Sequence, residues 1–337
     1  MRPTNPKYIL LLCGATLLAA SCSEDIALTQ ENAHALKLET VTLDDAGSTT
    51  TRAPLTEVNR IGIYVTKTAD NTPYPSNPSS VYTLSGSTWS AENPPQITGE
   101  NGAAKVYAYY PSDLTVANNS SGGHTVTISV VTADDFKATG QNDYLVTGKY
   151  VKGQEAGNGM QVAPLSVTST NRSISIPMVH TLAKVSLRVL KSEAATEKLT
   201  LKKVEILSPT NRMRAGNGTM NLGNGKLELP NISILTLTGE AVLATNSTAP
   251  NVTCLAAPMA EAEPLLSFRL TVTVQMAGSD TGTDLIFETG VVATPQKWEA
   301  CKHYTYKVTV DKMGGGLSGM QMDDWQNDAS QNTNIGI

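Results

Sequence analysis

Short runs of alternating apolar and polar residues, each cut off by a cluster of Pro, Gly and Asn, set the limits on what this chain can fold into. LKLETVTL (36–43), IGIYVT (61–66), VYTL (81–84), KVYAYYP (105–111) and HTVTISVV (124–131) repeat with a period of two, the spacing of a half-buried β-strand. Between them lie NTPYPSNPSS, ENPPQITGENG and ANNSSGG. Pro cannot donate to a sheet ladder, and Gly and Asn accept the positive φ of turns, so these are loops. The second half continues in the same style. SISIPMVHTLAKVSLRVL (173–190) reads as two abutting strands broken at Pro177, followed by LTLKKVEIL, GTMNLGNGKLEL, NISILTLTG, NVTCLAA, LLSFRLTVTVQM, DLIFETGVV and KHYTYKVTVD. Asn224-Gly225 marks a hairpin. VVTADDFKATG (130–140) alone carries a helical stripe. Only 16% of the residues are charged, and about 315 residues beyond the leader exceed what one core usually fills. Two successive sets of strands predict an all-β chain of two β-sandwiches, divided near Arg172 after the loop-rich stretch 151–172.

The first residues set the compartment. MRPTNPKYILLLCGATLLAASC has Arg2 and Lys7 in a basic lead, an apolar run from Tyr8 to Ala20 and small residues at its end. That is a secretory signal, residues 1–21, too short for a spanning helix. LAASC (18–22) resembles a lipobox, which makes Cys22 the acylated first residue of the exported protein. Acyl chains hold such a protein to a membrane at roughly 0.8 kcal/mol per buried methylene, with no transmembrane helix required. Without the signal, 23 basic side chains face 30 acidic ones. This balance argues against nucleic acid as a partner, because phosphate binding needs a basic face.

The search for catalytic chemistry returns little. The four histidines, His34, His124, His180 and His303, are scattered, with neither HExxH nor another metal-ligand spacing. His180, between apolar residues, reads as a structural histidine bonded to nearby backbone. No GxSxG raises a nucleophilic serine, and GGGLSG (314–319) lacks the lysine of a phosphate loop, so it reads as a flexible hairpin or connector. Asp134/Asp135, Glu261/Glu263 and Asp323/Asp324 are paired acids, but nothing sets two of them across a cleft as glycoside cleavage requires. Aromatic residues are 5% of the chain, too few for an evident carbohydrate platform. Trp89, Trp298 and Trp325 read as core or edge packing. The chain is expected to be no enzyme and to use no metal or cofactor. Cys254 and Cys301 either pair outside the cytoplasm or sit as two separately buried thiols; their spacing leaves both readings open.

Several motifs together carry a resemblance. IGIYV after TTTRA, then VYAYYP, NDYLVTGKY, VHTLAKVSLRV, WEACKHYTYKVTV and a closing MDDW stand in the order and approximate spacing of the fimbrillin family of Bacteroides-type bacteria. Ser23, Glu24 and Asp25 after Cys22 are similar to the acidic stretch of surface-exposed lipoproteins there. The resemblance implies two transthyretin-like β-sandwich domains, export as a lipoprotein, and assembly with other fimbrial subunits at the outer membrane and cell surface as stalk, anchor or tip. It also gives a role to the lone arginine of GSTTTRAPLT (47–56). An arginine-specific maturation protease would cut between Arg52 and Ala53 and release residues 22–52, leaving domains at 53–172 and 173–337.

The released piece contains LKLETVTL, a strand of about eight residues. Leu36 and Leu38 lie on one face and Val41 and Leu43 on the other, so a bulge is expected around Thr40. Removing this strand would leave an unpaired edge open to a strand from another subunit. The donor is less evident. QNDASQNTNIGI after Trp325 offers only Ile335 and Ile337 as real hydrophobes, which leaves LSGMQMDDW (317–325) as a further donor segment. The alternative is an uncleaved surface lipoprotein that binds a glycan or a host or bacterial surface protein.

Overall fold

The computed structural model describes residues 33–44, 58–118, 123–151, 160–311 and 314–324, the last stretch as backbone. Every regular element among them is a strand. In chain order these are β1 (Lys37–Leu43), β2 (Arg60–Lys67), β3 (Ser79–Ser85), β4 (Thr88–Ser90), β5 (Ala104–Tyr110), β6 (Val116–Ala117), β7 (Thr125–Val130) and β8 (Ala133–Asp135). Next come β9 (Leu145–Tyr150), β10 (Met160–Val162), β11 (Leu165–Val167), β12 (Ser173–His180), β13 (Ala183–Lys191), β14 (Lys198–Leu207), β15 (Met213–Arg214) and β16 (Gly216–Asn221). The last eight are β17 (Leu227–Glu228), β18 (Asn231–Ile232), β19 (Ile234–Val242), β20 (Val252–Ala256), β21 (Ser267–Gln275), β22 (Gly282–Glu288), β23 (Lys302–Asp311) and β24 (Gly314–Asp324).

The largest sheet runs β1-β12-β9-β5-β2-β3-β4, with β10 added to β9 and β11 to β5. Its central strands are buried on both faces. Ile61, Ile63 and Val65 of β2 enter a first core with the side chains of β1, while Tyr64 enters a second core against β7 and β16. Strand β2 is therefore almost continuously buried rather than alternating, as expected of a strand covered on both sides. Gly62 faces Tyr109 across the β2–β5 pair, and any Cβ there would run into the tyrosine ring. A third core lies between the sheets β20-β13-β23-β24 and β22-β21-β14-β19-β8. In this sandwich β23 alternates strictly, placing Tyr304, Tyr306, Val308 and Val310 inside.

The strands expected from alternation are present, but their partners cross the division expected near Arg172. β7 pairs with β16, β8 pairs with β19, and β12, just after residue 172, completes the first sheet beside β9. Alternation locates a strand; it does not name its neighbour. The stretch 130–140 is not a helix: its acids cap a turn, with Asp134 Oδ1 accepting from Gly140 N at 3.0 Å and Asp135 Oδ1 from Lys137 N at 2.7 Å, a local bonding that competes with helix. Pro177 does not break the chain but lies within β12. Met178 O accepts from Asp44 N at 2.8 Å, so the neighbouring Pro177 points its nitrogen away from β1, to the side where pairing with β9 begins only at Met178. The missing donor costs no ladder bond there. Gly314–Gly319, expected as a flexible hairpin or connector, begins the edge strand β24, which pairs antiparallel along the length of β23. Asn224-Gly225 does lie in a hairpin, between β16 and β17, with Gly225 at φ +69° and the Asn221 side chain accepting from the amides of Gly223 and Asn224.

Candidate functional site

In the strand β1 and the slot it fills, the fold sets a sequence motif on a sheet edge and in a core at once. β1 runs parallel to β12, from Lys37 beside Ser173 to Leu43 beside Met178. Just before it, the chain bonds across to the opposite edge of the sheet: Leu36 N donates to Pro95 O at 2.9 Å and Ile97 N to His34 O at 2.7 Å. The sheet thus curls until its first strand touches both margins, and β1 lies along the seam.

The register of β1 on β12 shifts between Leu38 and Thr40. This extra residue resets the alternation, so Leu36, Leu38, Val41 and Leu43 all enter the same core rather than opposite faces. All four are buried, with Ile174, Ile176 and Met178 of β12 and Tyr82, Trp89 and Ile97 across the seam. Burial of four such side chains is worth on the order of 6–12 kcal/mol before the cost of ordering the strand. One side-chain bond adds a polar clasp: the buried Tyr82 hydroxyl donates to Leu36 O at 2.7 Å. Burial raises the Tyr82 pKa, so the phenol stays a donor across the ordinary pH range.

The slot carries no chemistry of bond cleavage. Its lining is aliphatic and aromatic, which suits a strand and little else. Cys22, Arg52 and Ala53 lie outside the described residues, as do Trp325 and the tail that follows it.

The remaining sequence candidates take structural places. His180 Nδ1 lies 2.6 Å from Asp143 Oδ2, both side chains buried, so its partner is a carboxylate 37 residues away rather than nearby backbone. His124 packs between Tyr64 and Tyr107, tilted against the first and edge-on to the second, at centroid distances of 5.1 and 5.2 Å. His303 Nε2 meets Ser186 Oγ at 2.9 Å. No group of His, Cys, Asp or Glu able to hold a metal occurs among the described residues. Trp89 and Trp298 are buried, the latter donating from Nε1 to Tyr306 Oη at 2.9 Å.

Cys254 and Cys301 form no disulfide. Cys254 belongs to the third core and Cys301 to the second, each as a buried thiol. Burial pushes the Cys254 thiol up to about 12, and Cys301 Sγ donates to His180 O at 3.0 Å. The acid pairs are likewise separated in role. Glu261 pairs with Arg212 at the surface, while Glu263 is fully buried. Burial alone would raise the Glu263 pKa, but bonds from the Ser208 hydroxyl, the Leu265 amide and Thr210 outweigh it and hold the carboxyl below the usual range.

Comparison with known proteins places this architecture. A family described as fimbrillin-like matches residues 48–325. Among solved structures, a fimbrial protein from Bacteroides vulgatus is similar at TM-score 0.56 and 11% identity, covering 85% of this chain and 99% of its own. Two proteins assigned to cell adhesion are similar in the same way. One, from Bacteroides ovatus, has TM-score 0.53 and 15% identity, with 87% of this chain and 98% of that chain covered. The other, from Bacteroides uniformis, has TM-score 0.52 and 18% identity over the same shares. At these identities the likeness is one of fold. No curated protein matches.

Proposed function

The chain belongs to the fimbrillin-like family, which makes it a structural protein and not an enzyme, and we propose that it is a fimbrial subunit that assembles by giving up its first strand. The reading runs from export to assembly. The chain is acylated on Cys22, carried to the outer membrane and cell surface, and cut between Arg52 and Ala53 by an arginine-specific protease. Release of residues 22–52 takes β1 out of the seam. A strand of another fimbrial subunit then fills the slot, and the subunit joins a fimbrium.

The observation that carries this reading is the position of β1. It is an edge strand, it and the preceding Leu36 supply four side chains to the first core, and the chain between it and β2 contains Arg52. The family match begins at Ser48, after β1, which supports treating that strand as separable. A vacated β12 edge, with apolar side chains beside it, is the template that strand addition uses. β24, paired on one side to β23 alone, is the candidate donor, together with the tail beyond it.

Limited digestion of the purified exported form with an arginine-specific protease tests the reading, with N-terminal sequencing and a gel that preserves polymers. One early cut leaving Ala53 at the new terminus, followed by a ladder of assemblies, is the expected outcome. Resistance at Arg52, or a cut that yields only stable monomer, would favour an uncleaved surface lipoprotein that binds a glycan or a host protein.

A further inference from the structure

The hairpin of β21 and β22 carries most of the large apolar side chains that the fold leaves in water. Among the described residues Leu265, Met276, Leu285, Ile286 and Val291 lie on it or directly at its ends, and Ile286 is 67% exposed. Among the same residues β22 ends its sheet, paired with β21 alone. Such an edge invites another strand unless charge, Pro or a bulge blunts it. β22 contains no Pro or Lys, and its register on β21 is unbroken. Both its acids are drawn back onto β21: Asp284 Oδ1 accepts from Thr273 Oγ1 at 2.5 Å and Glu288 Oε1 from Arg269 Nε at 2.6 Å. β24, the edge of the facing sheet, lies alongside in the other layer and leaves the β22 ladder open.

The backbone fixes which groups point outward. Thr289 N donates to Phe268 O at 2.9 Å, in line with the β21 register. By alternation, the amides and carbonyls of Asp284, Ile286 and Glu288 face away from β21. An antiparallel copy of the same strand meets these groups when Leu285 lies opposite Leu285. Asp284 then faces Ile286, Thr283 faces Phe287 and Gly282 faces Glu288, with a two-fold axis between the leucines. A shift by one residue would set outward groups against inward ones. A shift by two sets Asp284 opposite Glu288 or opposite itself, and like charges directly opposed destabilise a pair. Larger even shifts leave only one end of the strand paired. We propose that β22 is a self-association edge: two copies of this chain pair through it, antiparallel about Leu285, into one sheet continuous across both. The Leu285 side chains meet where β22 borders Val272 of the third core, and the Ile286 side chains come within diagonal reach. The contact stands apart from the β1 seam and does not depend on a cut at Arg52.

Sedimentation velocity on the full exported chain tests the proposal, with C22S so that no acyl chain drives association and R52A so that no strand is released. A dimer forming at about 10–100 μM is expected, as suits a small interface. I286E sets a glutamate opposite the partner's Asp284 and should weaken the dimer at least about tenfold, whereas I286K sets a lysine there and should keep it. Under oxidation L285C should cross-link as a dimer, because opposed residues of a non-hydrogen-bonded pair lie about 4.5 Å apart at Cα; T283C should not. Monomer up to about 1 mM, equal effects of I286E and I286K, or cross-linking of T283C as readily as L285C would overturn the proposal. The second of these results would mean an apolar patch that takes any strand, without register.

Discussion

The first and third cores are filled by the same kind of side chain and closed in opposite ways. The third is pinned from within by a chain of polar bonds. Trp298 donates to Tyr306 Oη, Tyr306 donates to Gln296 Oε1 at 3.0 Å, and Gln296 exchanges backbone bonds of 2.9 and 2.7 Å with Glu263. Glu263 in turn gathers Ser208, Thr210 and Leu265. A satisfied buried network of this sort rigidifies what surrounds it. The first core has one edge strand along its seam, with a ladder on one side and, at its start, two backbone bonds and a tyrosine clasp on the other. Equal apolar filling can therefore make one region that is locked and another organised around a separable piece.

The sharpest way to break this comparison is to excise residues 22–52 and keep the product dilute. Amides of β12 that faced β1 should lose at least about 3 kcal/mol of opening free energy by hydrogen exchange, with the third core unchanged. Equal loss in both regions would mean that they unfold as one. Next in size, Leu43→Ala should cost about 2–5 kcal/mol, as should Leu201→Ala in the third core. In denaturant melts read beside hydrogen exchange, only Leu43→Ala should free the β12 amides. If Leu201→Ala frees them equally, the cores are coupled.

The network around Glu263 gives the comparison a pH axis. Its folded pKa lies below the ordinary 4.5, so its stabilisation is fully present above the unfolded value and is lost as pH falls through the folded one. Glu263→Gln should cost about 1–3 kcal/mol at neutral pH and flatten the acid limb of third-core stability, leaving β1 unaffected; an unchanged acid limb would remove the carboxyl from this account. The smallest effect is expected from Tyr82→Phe, about 1 kcal/mol, seen as faster exchange confined to β1 and the segment before it. Uniform exchange across the first sheet would show that the clasp is not local.

Much of this architecture is written locally. Alternation marks the strands, and the change of apolar phase between Leu38 and Val41 anticipates the register shift in β1, because a side-chain period of two admits only one remedy for an odd offset. What depends on distant residues is not legible. Asp143 and His180 meet across 37 positions, β8 finds β19 a hundred residues on, and Gly314–Gly319 becomes a strand because β23 offers a free edge, not because glycine favours one.

The parallel pairing of β1 with β12 bears on the order in which the molecule comes together. Its partners, from Lys37 and Ser173 to Leu43 and Met178, lie about 135 residues apart in the chain, and closing so large a loop is among the slow steps of folding. While the chain is being made, β12 emerges long after β1, and the sheet can order β9, β5 and β2 by shorter connections first. The seam is then a vacancy before it is a contact. The strand that arrives last on this schedule is also the one whose departure disturbs the fewest earlier steps.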